Sequence, residues 1–227
     1  MIKKGILKVW VVLLINMFIV SVCWAKGEVE RIKSATRILS NVMSGPEGTA
    51  PKYLLSHARA VILIPGVKKI GFIAGIKHGK GVIVARGKDN KWLPPSFVTL
   101  SGGSIGFQIG GKSSDIVILL MSDKALQKFT GNKIKIGVDF GVVAGPVGKE
   151  IGLSQEDLYK IEAFSYIKEK GIFAGATIAG SLLSHDEKAN QNFYGIHITF
   201  HDILSGKIPP LPPAAQELLQ TLETLSQ

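Results

Sequence analysis

Cysteine is almost missing from this sequence: Cys23 is the single one among 227 residues. It lies within the first 25 residues, so residues 26–227 have neither disulfides nor thiolate metal clusters to staple them, and a hydrophobic core must hold them together. Acids are scarce as well. Seventeen Asp and Glu stand against 27 Lys and Arg, a formal charge of +10 at neutral pH that favours an anionic partner. Long apolar runs are absent save one, the 14 residues from Val9 to Val22, which fall short of the ~20 that a bilayer span requires and include Asn16. Lys3, Lys4 and Lys8 precede that run and Cys23-Trp24-Ala25 follows it, the pattern of a secretory signal peptide cut after Ala25. Against a retained anchor stands the length of the run; against lipidation at Cys23 stands Val22, where a small residue is wanted. The leader takes away three lysines and no acid, so +10 becomes +7 on residues 26–227. The expected location is therefore outside the inner membrane, periplasmic and membrane-associated. The abundant anionic surfaces there are membranes and envelope polymers, and nucleic acid is not an expected partner.

What is present is glycine in a pattern. Residues 66–195 hold 21 of the 26 glycines, about twice the usual ~7% share. Gly71, Gly75 and Gly79 recur every four residues, as do Gly102, Gly106 and Gly110, then Gly137, Gly141 and Gly145, and more loosely Gly171, Gly175 and Gly180. Between them apolar residues alternate, as in Ile70, Phe72, Ala74 and Ile76, and period two means strands. On a strand, residues four apart share a face, so each segment presents one bulky face and one bare face that invites close approach. Segment starts at 71, 102, 137 and 171 read as a weak four-fold repeat of strand units.

Helical signals flank this region. Residues 27–44 carry Val29, Ile32, Leu39 and Val42/Met43 near one stripe, with Arg31, Lys33 and Arg37 among the polar positions, and Gly45-Pro46-Glu47-Gly48 ends the helix. The stripe fits a helix packed on its own domain, or a basic amphipathic helix lying on lipid. A short helix is expected over 51–60, then a strand from Ala60 to Ile64 and a turn at Pro65-Gly66. Further helices are expected from Ser122 to Phe129 and from a capping box at Ser184 to Gly195. Residues 207–227 form a proline-rich linker and a helix carrying Leu218, Leu219, Leu222 and Leu225. The expected organisation is a leader over 1–25, one domain over 26–206 and the tail. Its class is α+β: a glycine-rich, strongly twisted antiparallel sheet or partly closed barrel with flanking short helices.

Enzymatic motifs fail on inspection. Gly102-Gly103-Ser104-Ile105-Gly106 matches the nucleophile-elbow pattern, but the elbow needs a helix after the serine, and Ile105, Phe107 and Ile109 continue a strand. A lipid-acting hydrolase built on Ser104 is thus the third reading of function. Gly75 to Gly81 is one residue short of a phosphate loop and has Gly81 where Ser or Thr would bind magnesium. His197 and His201 share one face if 197–201 is a strand, yet a metal site needs a third ligand and a supporting shell. No catalytic residue, metal or cofactor is expected. The surviving feature is a run of cations, Lys68, Lys69, Lys77, Lys80, Arg86, Lys88 and Lys91, with Trp92 beside them and Asp89 the one acid. Together with Arg31, Lys33 and Arg37 they form the expected lipid-binding surface, with Trp92 at the interface.

Several segments carry a family resemblance: Pro65-Gly66-Val67-Lys68-Lys69-Ile70-Gly71-Phe72, Trp92-Leu93-Pro94-Pro95-Ser96-Phe97, Gly102 to Gly110, Asp115 with Met121, Gly137-Val138-Asp139, Ala144-Gly145-Pro146-Val147-Gly148, Ser165-Tyr166 and Lys170 to Gly175. Over roughly residues 34–204 the chain resembles the SYLF-domain family, found as secreted bacterial proteins and in eukaryotic adaptors. The resemblance implies phospholipid binding, with residues 28–43 in the place of the basic N-terminal helix that eukaryotic members use at membranes, and it implies no catalytic residue. Some members bind actin; for an exported chain of this kind actin is not an expected partner. The function expected is non-enzymatic binding of an anionic phospholipid membrane surface, with an envelope scaffold that binds protein or polysaccharide as the alternative.

Overall fold

The computed structural model describes residues 27–45, 48–71, 74–105, 111–131, 133–147, 154–169, 172–175, 178–207 and 209–227. The leader expected over 1–25 lies outside the described residues. Nine strands form one sheet: β1 (Ala60–Gly71), β2 (Ala74–Ala85), β3 (Ser96–Ile105), β4 (Gly111–Leu120), β5 (Lys133–Lys135), β6 (Val142–Ala144), β7 (Ala163–Glu169), β8 (Ile172–Gly175) and β9 (Ser181–His185). Their order is β5-β9-β3-β2-β1-β4-β7-β6, with β8 also on β7. All pairs are antiparallel except β6 with β7.

That order cannot be flat. Seven strand spacings of ~4.8 Å would set the outermost strands, β5 and β6, ~34 Å apart. Yet they are consecutive in the chain, and the seven steps from Lys135 to Val142 reach ~24 Å at most. The sheet therefore curls into a half-barrel. A bridge between Ile136 and Phe140, and the bond from Gly137 N to Phe140 O at 2.7 Å, tighten the connection.

Alternation along the strands feeds two cores. Ala60, Ile62, Ile64, Ile83, Val98, Ile118 and Leu120 join Ile134, Ile136, Phe140 and Leu183 from one edge, and partly buried Val142 from the other, so this cluster fills the curl. Val61, Leu63, Val82, Val84, Phe97, Val117, Leu119, Phe164 and Tyr166 face the opposite way and are covered by helices. The cover comes from α1 (residues 27–44), α2 (Thr49–His57), α5 (Glu187–Tyr194) and α7 (Pro213–Leu225), whose apolar stripes all enter that cluster. The remaining helices are short: α3 (Asp123–Lys128), α4 (Gln155–Lys160) and α6 (Phe200–Leu204).

The bare faces have a visible use. A methyl on Gly81 would overlap the Leu63 carbonyl oxygen, because β1 bulges toward β2 between Leu63 and Lys68. A methyl on Gly145 would enter the Tyr166 ring, whose hydroxyl donates to Pro146 O at 2.9 Å.

Local departures from the sequence reading have local causes. β1 does not end at Pro65-Gly66 but passes through as a bulge, with Gly66 in the left-handed region and its N–H donating to Asp115 Oδ1 at 2.9 Å. The 137–145 segment is not one continuous strand: Gly137, at φ +87°, reverses the chain between the two sheet edges, and only Val142–Ala144 joins the sheet, as β6. The helix expected from Ser184 opens instead at α5, capped by Asp186, because Ser184 is paired in β9 with Thr99. Residues 197–201 are likewise not a strand. Thr199 and Asp202 form a capping box that starts α6 and takes His201 into the helix.

Gly81→Ala is expected to lower stability by about 1–3 kcal/mol, whereas Gly103→Ala, with nothing within 4 Å of the added methyl, is expected to stay within ~0.5 kcal/mol of wild type. Urea melts of the two variants check this.

Candidate functional site

The expected basic surface divides into three parts. Arg86 and Trp92 are inside the fold: the guanidinium sits 4.0 Å over the indole ring and donates to Ala58 O and Asn90 O at 3.2 and 2.8 Å. Trp92 is 7% exposed and donates from Nε1 to Ser226 Oγ at 3.2 Å, so it packs beneath α7 and not at a water–lipid boundary. Burial holds the Arg86 pKa below its ordinary value, partly opposed by Glu223. Arg31 is inside as well, its side chain 8% exposed. It pairs with Asp186 at 2.9 Å, donates to Val98 O and lies 5.0 Å over the Phe97 ring, tying α1 to β3 and to the start of α5. The apolar stripe of α1, with Ile32, Ala35, Leu39, Val42 and Met43, is buried in the same core. Of the two readings of the α1 stripe, the buried packing is that of a helix packed on its own domain.

Lys88 and Lys91 form the second part, exposed in the turn between β2 and β3. Nine residues of extended chain separate this turn from Lys77, ~30 Å along the strand. Cations close in sequence are thus at opposite ends of the sheet.

The third part is coherent. β1 and β2 run on beyond the buried core as an arm whose register pairs Lys68 with His78, Lys69 with Lys77, Ile70 with Ile76 and Gly71 with Gly75. On the other side of β1, Lys112 of β4 is in register with Lys69, and on the other side of β2, Gly102 of β3 is in register with Lys77. The row across four strands thus reads Gly102, Lys77, Lys69, Lys112. Like charges directly opposite each other are destabilising in a sheet. The strain registers at Lys77: burial first, then the Lys69 charge, hold its pKa below the ordinary value. The bare face of Gly102 accommodates the Lys77 stem, since a methyl there would stand 3.0 Å from Lys77 Cε. Nearby, Lys80 and Arg37 line an open groove of ≈ 660 Å³ between α1 and the β1 bulge, with Asp115 and Glu30 as its acids. Lys33 lies elsewhere on α1, 3.5 Å from Glu30.

Sequence reading missed the apolar members of this end. Ile70 and Ile76 are 64% and 71% exposed, and Ile172, at the start of β8, is 68% exposed. Their signal was available in the alternation itself, which places apolar residues at strand ends past the last covering helix. Ser104 lies within β3 opposite Gly75, and β4 opens at Gly111, an arrangement of strand and strand where an elbow has strand and helix. His185 is bonded to Phe129 O at 2.8 Å and stacked on Phe200. Among the described residues, no three His, Cys, Asp or Glu side chains are grouped to hold a metal ion.

Burial raises the Asp186 pKa, but the hydrogen bond and charge of Arg31 outweigh it and leave it below the ordinary value. The ion pair's contribution is therefore complete above the unfolded value of about 4 and is lost as pH falls through the depressed folded value. Asp186→Ala, which leaves the Arg31 charge buried and unpaired, is expected to cost about 3–5 kcal/mol at pH 7 and to flatten the acid limb of the stability profile. Urea melts from pH 3 to pH 7 measure both effects.

The family model described as Ysc84, Las17-binding protein actin regulator, matches residues 101–225. Protein YSC84 of Saccharomyces cerevisiae is 35% identical over 204 residues, covering 88% of this chain and 43% of the relative. The SH3 domain-containing YSC84-like protein 1 of Rattus norvegicus is 32% identical over 204 residues, covering 89% of this chain and 59% of the relative. LAS seventeen-binding protein 3 of Saccharomyces cerevisiae is 35% identical over 200 residues, at 85% and 43%. The chain thus spans about half the length of the curated relatives it matches. One of these relatives is named as a binding protein and the family model is described as an actin regulator; none of the three is named as an enzyme. They also overturn the expectation that actin lies outside the range of partners, because the matching family is itself described as one of actin regulators. With more than half of its length inside that family model, the chain belongs to the Ysc84 family, which is the SYLF family that its sequence resembles.

Proposed function

We propose that the protein binds anionic phospholipid membranes without catalysing a reaction, through the uncovered end of its sheet. The carrying observation is the transverse row of Lys77, Lys69 and Lys112 on adjacent strands, in a chain with ten more basic than acidic residues. Lys69 and Lys77 held side by side raise each other's energy, and an anionic phosphate surface lowers it again. Lys68 and Lys80 add charge on the opposite, helix-covered face of the same end. The secretory leader expected over residues 1–25 supports a periplasmic, membrane-associated location as part of the same proposal.

Lys69→Glu/Lys77→Glu is expected to weaken co-sedimentation with anionic vesicles by about 2 kcal/mol or more, roughly thirtyfold, and added salt is expected to erode wild-type binding. Lys88→Glu/Lys91→Glu, at the opposite end, is expected to change binding little. Equal loss in both pairs, or binding indifferent to salt, would remove the proposed surface.

The family description favours a second reading, in which the basic end meets a partner in actin regulation. Pelleting with actin filaments in the absence of lipid separates the two: co-pelleting that Lys69→Glu/Lys77→Glu abolishes supports the protein partner.

A further inference from the structure

We infer that the β1–β2 arm is a membrane wedge, whose Ile70–Ile76 pair enters the acyl boundary of an anionic bilayer while the flanking lysines hold the headgroups. The inference rests on the membrane-binding reading and specifies how contact is made. Val67 is the last buried residue of β1, and four further residues carry the strand to Gly71, a projection of ~13 Å. An interfacial apolar element is buried by ~5–10 Å, so the arm is long enough. Ile70 and Ile76 are register partners, hence adjacent on one face, and both are about two-thirds exposed. Directly behind them come the pairs Lys69 with Lys77 and Lys68 with His78, and no acid occurs from Gly66 to Gly81.

Apolar at the end and cationic one residue back is the order in which a bilayer presents acyl chains beneath phosphates. β1 and β2 are both paired on their outer sides, with β4 and β3, so neither offers a free edge for a partner's strand to add to. Ile172, just past the β7–β8 tip at the same end, is placed to add to the contact.

The test uses the full chain carrying Cys23→Ser and one new cysteine labelled with an environment-sensitive fluorophore, at Ile76→Cys or, as a control at the far end, Lys88→Cys. Vesicles contain phosphatidylcholine with about one quarter phosphatidylglycerol. The wedge predicts a blue shift at position 76, quenched by nitroxides within the acyl region and shielded from iodide, with position 88 still in water. The leader cannot mimic this result, since attachment through residues 1–25 leaves both labels aqueous. Co-sedimentation with both labels in water overturns the wedge and leaves membrane binding intact. Absence of co-sedimentation overturns the membrane reading, and the wedge with it. Ile70→Ser/Ile76→Ser, at exposed positions that leave the core untouched, is expected to weaken binding at least about tenfold at salt high enough to screen the lysines.

Discussion

Six residues join the two outer strands of an eight-strand path, and that shortness governs the rest of the molecule. A sheet that must bring β5 and β6 within reach of residues 136–141 has to roll, and rolling demands that strand backbones approach where a side chain would ordinarily stand. Gly81 against the Leu63 carbonyl and Gly145 against the Tyr166 ring are the places where that demand is met. Those two bare positions serve close packing, and Ser104 lies within β3, with β4 the next described element.

Rolling also decides which surfaces remain. One face of the sheet closes on itself and fills with Ile62, Ile118, Ile136 and Phe140. The other is roofed by α1, α2, α5 and α7. Arg31 fastens the roof through Asp186 and Val98, with its charge over Phe97, so that a residue that sequence alone marks as a surface cation is a fastening inside the wall. Neither roof nor interior extends over the far end of β1 and β2. There Ile70 and Ile76 are exposed and the lysines of neighbouring strands line up.

Much of this was legible in the sequence wherever a signal is local. Period two with glycine every fourth residue reads as strands with bare faces, and the stripe of residues 27–44 reads as a helix with one apolar side. Where partners are distant in sequence, reading failed in definite ways. Lys68 to Trp92 look like one cluster, yet an extended β2 sends Lys77 and Lys88 to opposite ends, and burial takes Arg86 and Trp92 out of reach of solvent. The row of Lys77, Lys69 and Lys112 depends on strand register across a bulge, which no linear pattern encodes. His201 illustrates the converse: a strand-like HITFH stretch became a helix start because Thr199 and Asp202 satisfy each other's backbone groups.

The central claim is that the uncovered end of the sheet, and not the roof helix or the β2–β3 turn, meets the membrane. Hydrogen–deuterium exchange of the full chain with and without anionic vesicles tests it most directly. The account predicts slowed exchange in peptides covering residues 66–80, with residues 27–44 and 86–95 unchanged. Slowed exchange in 27–44 or 86–95, with 66–80 unaltered, would contradict it.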